Sequence, residues 1–418
     1  MQRRPRIVLV HQRHYLPWLF EAATRAGMDV ILVPWGGTPP AALPEGVVSC
    51  LPLDTERDPD GAFHALTELH RREGFEGILA CSELAVPLVS RVARALGLPG
   101  LSESTARTVR DKRLMRTRLR DAGSRSMDFV ELRAPGEWRR ASGLRMPVVV
   151  KPAAGYSSFG VVRVDDPAEL EAVVGRVWEL CRSEFGYGRR TDGVQALLVE
   201  EYVAGPEISV ESLVYAGEVR VCAISAKGEL PGPYFEEVRF RAPAPLPPEV
   251  AAAVTHEVVA AHAAFGVDTG VTHTELRLRQ GTEPYVLEMG ARVGGGGFLH
   301  HLAHAGAGVD LAAEALRIAV GMRPRCWDTS PAHSGHAAAY QVPLNGSGRI
   351  RAVHGLDALD GDPRVDRVLR LMGPGDLVRP YPAPLTAHPV IVLSHHPTDA
   401  EAVAFHEELD RRLWIEYE

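Results

Sequence analysis

Lysine is almost missing from this 418-residue chain, which has three, Lys112, Lys151 and Lys227, against 43 arginines. Wherever a generic positive charge suffices, the sequence uses Arg. A surviving Lys therefore marks a place that needs a compact ammonium on a flexible stem; chance survival on the surface is the alternative for any one of them. Cysteine is also scarce. The five, at positions 50, 81, 181, 222 and 326, are odd in number, scattered, and form no C-x-x-C pair. That excludes a disulfide framework and a cysteine-based zinc site, and points to the reducing cytoplasm. No stretch approaches the ~18 uninterrupted apolar residues of a membrane span. Arg3, Arg4 and Arg6 look like the start of an export signal, but the apolar run behind them, Ile7–Val10, stops at His11-Gln12-Arg13 and is too short for one. It reads better as a first β-strand. Excess positive charge is lacking too: a net charge of −7 disfavours nonspecific binding to nucleic acid or anionic membrane.

What remains is ordinary globular composition, 45% hydrophobic and 24% charged, in a chain long enough for two or three domains at roughly 150 residues each. In the first hundred residues, Arg6–Val10, Val30–Val33 and Gly77–Cys81 read as buried strands. They alternate with helical spacing over Trp18–Ala26, Ala62–Glu73 and Ala85–Leu96. That pattern predicts a small parallel sheet with helices on both faces. Helices follow at Ser104–Val109 and Lys112–Ala122, then a run of strands (Met127–Leu132, Pro147–Lys151, Gly160–Val164, Ala196–Glu201, Ile208–Tyr215, Glu218–Ser225) interrupted by one helix at Pro167–Cys181. Such strand-rich sequence suggests α+β. A helix near Glu249–Phe265 and two strands, Gly270–Arg279 and Pro284–Gly290, joined by Gln280-Gly281-Thr282, come next, followed by a helix around Val309–Val320. Residues 325–418 read as a smaller terminal unit, with a strand at Val390–Ser394 and a helix at Asp399–Leu413.

Three segments carry chemistry. Pro147–Val161 is a strand ending in Lys151, then a loop of small residues with Gly155, Ser157, Ser158 and Gly160, then another strand. Gly and Ser let backbone N–H groups and hydroxyls approach an anion beside the mobile Lys charge; a plain hairpin turn is the alternative. Leu197–Val210 is an apolar strand ending in Glu200-Glu201-Tyr202-Val203, with Glu207 after a turn. A strand-edge linker offers donor and acceptor groups to an adenine, and a nearby carboxylate can hold ribose hydroxyls. A solvated hairpin is the commoner meaning of such a fragment taken alone. The third segment is the sharpest: His273-Thr-Glu275, then Glu288-Met-Gly290-Ala-Arg292-Val-Gly294-Gly295-Gly-Gly297. Strand pairing would bring the two carboxylates together, where they repel unless a cation holds them. Hard oxygen donors of this kind suit Mg²⁺ completed by phosphate and water. A cross-strand surface pair with a flexible loop is the alternative.

In this order the three segments resemble the ATP-grasp superfamily of carboxylate–amine ligases, from about Lys112 to about Gly321, and are most similar to its L-amino-acid ligases (dipeptide synthases). The resemblance implies an α/β and α+β architecture. Residues 1–105 would be a Rossmann-like domain, 106–324 an ATP-grasp domain with a lid at about 140–205, and 325–418 a small C-terminal subdomain. By position, Lys112 and Lys151 match the two nucleotide lysines, and Gly155, Ser157 and Ser158 lie in the mobile lid loop. Glu200, Glu201, Tyr202 and Val203 match the adenine hinge, and Glu207 the ribose acid. Glu275 and Glu288 match the magnesium carboxylates, for one or two ions, and Arg292 the cation beside an acyl phosphate. The resemblance puts Glu83, Lys227, Glu237, His273, Gly294 and Gly295 at the substrate. It implies that ATP phosphorylates a carboxylate and an amine then displaces phosphate to give an amide; Arg292, Lys151, Glu275 and Glu288 would carry the catalysis. Amino acids or related small carboxylic acids are the implied partners, and a homodimer the implied assembly, with no nucleic acid or membrane involved. Two rivals remain: a superfamily ligase using bicarbonate, formate or a nucleotide intermediate, and a nucleotide-binding module without catalysis.

Two positions depart from the family. Gly290 stands where relatives place an Asn that assists a second magnesium ion, and Arg239-Phe240 where they often read Gly-His. Elsewhere, His300 and His304 could ligate zinc if helical but have no third ligand. His11 and His14 could reach substrate from the end of the first strand, although capping is the plainer role.

Overall fold

A computed structural model describes residues 4–13, 16–185, 194–230, 232–294, 297–328, 335–383 and 388–418. The first sheet is parallel, its strands ordered Val47–Cys50, Asp29–Val33, Arg6–Val10, Gly77–Ala80. Along Arg6–Val10 the side chains alternate between two cores. Ile7 and Leu9 pack with Trp18 and Leu19, while Val8 and Val10 pack with Leu66 and Val92. Helices therefore cover both faces, as the alternation predicts. Helix Pro59–Glu73 starts where the Asp58 carboxylate accepts from Gly61 N–H, with Pro at the first position, and stops at Gly74 with φ 70°. The edge strand Val47–Cys50 was not foreseen, because its half-buried pattern lacks the apolar run of its neighbours.

A second, antiparallel sheet is ordered Phe129–Leu132, Leu197–Glu201, Val148–Pro152, Val162–Val164. Helix Leu170–Glu184 closes its core through Leu170, Val173, Val174 and Val177. The third and largest sheet has eight antiparallel strands, ordered Glu283–Gly290, Gly270–Arg279, Glu207–Tyr215, Glu218–Lys227, Arg239–Ala242, His336–Gln341, Val390–His396, Val365–Arg370. Its last three strands come from the terminal stretch. Residues 325–418 thus extend the central sheet, and add a three-stranded sheet (Leu377–Val378, Gly348–His354, Trp414–Tyr417) and the helix Asp399–Arg412. The strand His336–Gln341 escaped the sequence reading because Ala337-Ala338-Ala339 has poor β propensity; burial of all three, Ala337 and Ala339 in the core they share with helix Phe298–Ala307, decides the matter. That helix, also unforeseen, lies close on the sheet: a Cβ on its Gly306 would stand 2.6 Å from the Ala242 carbonyl oxygen. No helix among the described residues is long and apolar enough to cross a membrane.

Candidate active site

The hairpin of Gly270–Arg279 and Glu283–Gly290 places Glu275 directly opposite Glu288. Its turn is set by Gln280 and Gly281, both at positive φ, and a register shift follows Glu275. Each carboxylate is held by an ammonium: Glu288 by Lys112 at 2.7 Å, Glu275 by Lys227 at 3.0 Å. Burial would push Glu288 up, but the charge of Lys112 outweighs it and the carboxyl sits below its ordinary range. Lys227 also meets Glu207 at 2.8 Å and Glu237, so one buried ammonium stands among three acids whose oxygens lie within 4.8 Å of one another. Burial works against the charge of Lys227, yet the three carboxylates hold it well above its ordinary value. For Glu237 burial wins, with Glu275 and Glu207 adding to it against Lys227, and the carboxyl is pushed up to about 7. His273 donates from Nδ1 to Glu211 at 2.5 Å and from Nε2 to Glu275 at 3.1 Å. Burial opposes its charge, but the two carboxylates raise it to about 10 and keep it an imidazolium.

Lys112 opens helix Lys112–Asp121, capped by the Asp111 side chain, and its Nζ also donates to the Gly155 carbonyl at 3.1 Å. Lys151, in the strand Val148–Pro152, is buried against Glu200. Arg116, one turn beyond Lys112, grips the same Glu200 with Nε at 2.9 Å and Nη2 at 3.2 Å. It also donates to the carbonyls of Val286 (3.2 Å) and Leu287 (2.6 Å), beside Glu288. Burial would raise Glu200; Arg116 and Lys151 overcome it and bring the carboxyl to about 2. In the segment expected to meet an adenine, the Glu200 side chain is thus committed to an internal ion pair, leaving the backbone of Glu201, Tyr202 and Val203 as the strand edge. Glu207 is fixed on its other oxygen by Arg277 at 2.8 Å, and Arg277 also reaches the Val203 carbonyl at 3.3 Å. Ser157 and Ser158, in the loop expected to act as a lid, both take φ 51°.

Two cavities meet at Glu237, Glu275 and Glu288. The first, between the four-stranded antiparallel sheet and the eight-stranded sheet, is lined by Lys112, Lys151, Gly155, Ser158, Glu200 to Val203 and Glu207. The second holds Ser157, His273 and Arg292. Glu83, just after the strand Gly77–Ala80, meets Arg292 at 2.9 Å and Arg110 at 3.5 Å. Gly290 makes room for it: a Cβ there would lie 2.3 Å from Glu83 Oε1. The Asn-to-Gly departure and the Glu83 carboxylate thus occupy one space. A Cβ on Gly294 would fall 2.7 Å from His273 Nδ1, so that glycine is required by close approach. Gly295 and His14 lie outside the described residues. His300 and His304 are on one helix and stack at 5.7 Å, but His300 is buried with its Nδ1 accepting from Ala312 N–H, and burial lowers it to about 4. Among the described residues the metal-type cluster is Glu207, Glu237 and Glu275, away from these histidines. His11 is buried between Ser82 and Thr55.

Sequence reasoning missed Arg116, Arg277 and Glu211. The signal was there for two of them: Arg116 is four residues from Lys112 on one helix face, and Arg277 two from Glu275 on one strand face.

Residues 20–100 match the ATP-grasp N-terminal domain and residues 144–299 the ATP-grasp domain. The structure superposes on the L-amino acid ligase from Bacillus licheniformis with a TM-score of 0.87 and 32% identity, covering 100% of each chain. In sequence the chain is 28% identical over 245 residues to a D-alanine–D-alanine ligase of Ralstonia pickettii, covering 56% of this chain and 67% of that protein. It is 27% identical over 239 residues to the alanine–anticapsin ligase of Bacillus subtilis, covering 53% of this chain and 49% of that one. The protein belongs to the ATP-grasp amino-acid ligases, enzymes that form C–N bonds at the expense of ATP.

Proposed function

We propose that the protein joins two amino acids, or an amino acid and a related small acid, through an acyl phosphate, releasing ADP and phosphate. The observation that carries this is the face-to-face pair Glu275 and Glu288 at the meeting of two cavities, with lysines on one side and Arg292 on the other. Two part-exposed carboxylates in direct register are a hard-oxygen donor set that fits Mg²⁺. They would hold it, and bound there it would screen the phosphate charge.

The chemistry left to the chain is alignment and neutralisation. A substrate carboxylate oxygen attacks the γ-phosphorus, the bond to the β–γ bridging oxygen breaks, and ADP is the leaving group. Lys112 and Lys151 would offset charge on the transferring phosphoryl, and Arg292 charge on the tetrahedral oxyanion. The amine then attacks the acyl carbon, the carbon–oxygen bond to phosphate breaks, and the amine loses a proton. Glu237 faces both cavities with a raised pKa despite its pairing with Lys227 and suits that proton; Glu83 lines neither cavity and is tied by Arg292 and Arg110. The Gly155–Ser158 loop would keep water from the acyl phosphate. Holding amine and acyl phosphate in contact can supply roughly 7–11 kcal/mol of the barrier. Family resemblance supports a cytoplasmic homodimer.

The test is ADP release by the purified chain with MgATP and a panel of single amino acids, amino-acid pairs and bicarbonate. Release that needs two amino acids is expected. Release with bicarbonate alone, or none in any mixture, overturns the reading.

A further inference from the structure

The second cavity, from the carboxylates to its far end, measures about 190 Å³. Protein interiors leave few voids larger than a water molecule, so an opening of this size beside charged groups is a built space. Its two ends differ in kind. The charged lining residues, Arg13, Glu237, His273, Glu275, Glu288 and Arg292, belong to the junction. Even Arg13 does, since it lies 5.1 Å over the ring of Trp35, which packs at 6.4 Å against Tyr156 of the lid loop. The far end is hydrocarbon: Phe240, Phe298, Leu299, Leu369, Leu371 and Ile391. Phe240 and Phe298 fix each other edge to face at 5.0 Å. Of the polar neighbours, Gln341 donates to the Glu237 carbonyl at 2.8 Å and His388 to that of Val342 at 2.9 Å, and Tyr381 stacks on Tyr234 at 5.5 Å. Burial lowers the His388 pKa, so it adds no charge there.

A reacting carboxylate has to lie at the junction, between the lysines and Arg292. Its α-carbon then points onward, and its side chain enters the far end. A charged side chain would be stripped of water there among walls that are mostly hydrocarbon, while a small one would leave apolar walls unfilled. We propose that this chamber receives the side chain of the amino acid whose carboxylate is activated, and that this side chain is large and apolar, of the Leu, Ile, Met or Phe class.

The inference rests on the ligase reading above, and one experiment separates the two. The purified full chain is given MgATP and amino-acid pairs, ADP is followed, and the order of residues in each product is read by tandem mass spectrometry. The activated acid becomes the N-terminal residue. Products beginning with Leu, Ile, Met or Phe are expected, with kcat/KM at least about tenfold above Gly, Ser, Asp or Lys in that place. Leu369→Trp, which fills the chamber, should move that ratio at least tenfold toward Gly and Ala. Should this variant fail to fold, the wild-type panel decides alone. ADP release that needs two amino acids but favours a small or charged N-terminal residue overturns the chamber assignment and spares the ligase reading. So does a large apolar residue found at the C-terminal place alone. No ADP with any pair overturns both.

Discussion

On the Lys151 side of Glu275 and Glu288 the walls are ions, each held by another: Lys112 with Glu288, Lys151 and Arg116 with Glu200, Arg277 and Lys227 with Glu207. On the Leu369 side the walls are mostly buried hydrocarbon, with Gln341 and His388 spent on backbone and Tyr381 stacked on Tyr234. On the proposed reaction the first arrangement would fix charges in place before a polyanion arrives, leaving little reorganisation to the chemistry. The second offers shape and dryness, which discriminate among side chains but do no bond-making. Substitutions on the two sides should therefore fail differently, in turnover on one and in substrate affinity on the other.

The largest effect is expected at Lys151. It is buried against Glu200, and Lys151→Arg keeps the charge while forcing a planar, bulkier head into the same space. Turnover measured by ADP release should fall on the order of 10²–10³-fold; near-normal turnover would show that generic charge is enough and erase the contrast. Next is Arg116→Met, which leaves Glu200 buried with one partner and takes a donor away from two backbone carbonyls. Breaking one side of a buried pair costs about 3–5 kcal/mol, read as a lowered urea midpoint. An unchanged midpoint would mean that Arg116 is not holding the wall together.

The charged side follows pH. Glu200 is lowered in the folded chain to about 2 from an ordinary 4.5, so its ion pairs contribute stability above pH 4.5, which is lost as pH falls toward 2. The shift corresponds to about 3 kcal/mol. Urea unfolding from about pH 6 down to about pH 2 should show this decline in the wild type and a flatter profile in Glu200→Gln. Parallel profiles would place the acid sensitivity elsewhere.

The two sides also differ in how far the sequence reveals them. The junction was legible because its parts are local: a three-residue turn sets Glu275 opposite Glu288, and the rarity of lysine singled out Lys112, Lys151 and Lys227 before any contact was known. The Glu200 side chain was harder, since nothing local says that Arg116, 84 residues away, turns it inward. The chamber was not legible at all. Phe240, Phe298, Leu369 and Ile391 meet only because His336–Gln341 and its neighbours extend the central sheet. That strand is alanine-rich, and Val365–Arg370 is half charged, so neither announces a buried strand. Apolar residues are interchangeable in a way that a lysine facing a carboxylate is not, and tertiary placement alone tells a pocket wall from a core.

The smallest effect is the one that best separates the two sides. Ile391 sits in the sheet between Gln341 and Leu369, buried, with its side chain on the far wall of the chamber. Ile391→Val removes one methylene, which ordinarily costs roughly 0.5–1.5 kcal/mol of stability. The low end is expected, because the lost atoms border space already open. For a large apolar donor the same change removes contact made equally in the ground and transition states, so KM should rise while kcat stays near the wild-type value. A fall in kcat matching the loss in kcat/KM would mean that the chamber takes part in the transition state, and the division between charge that reacts and hydrocarbon that selects would no longer hold.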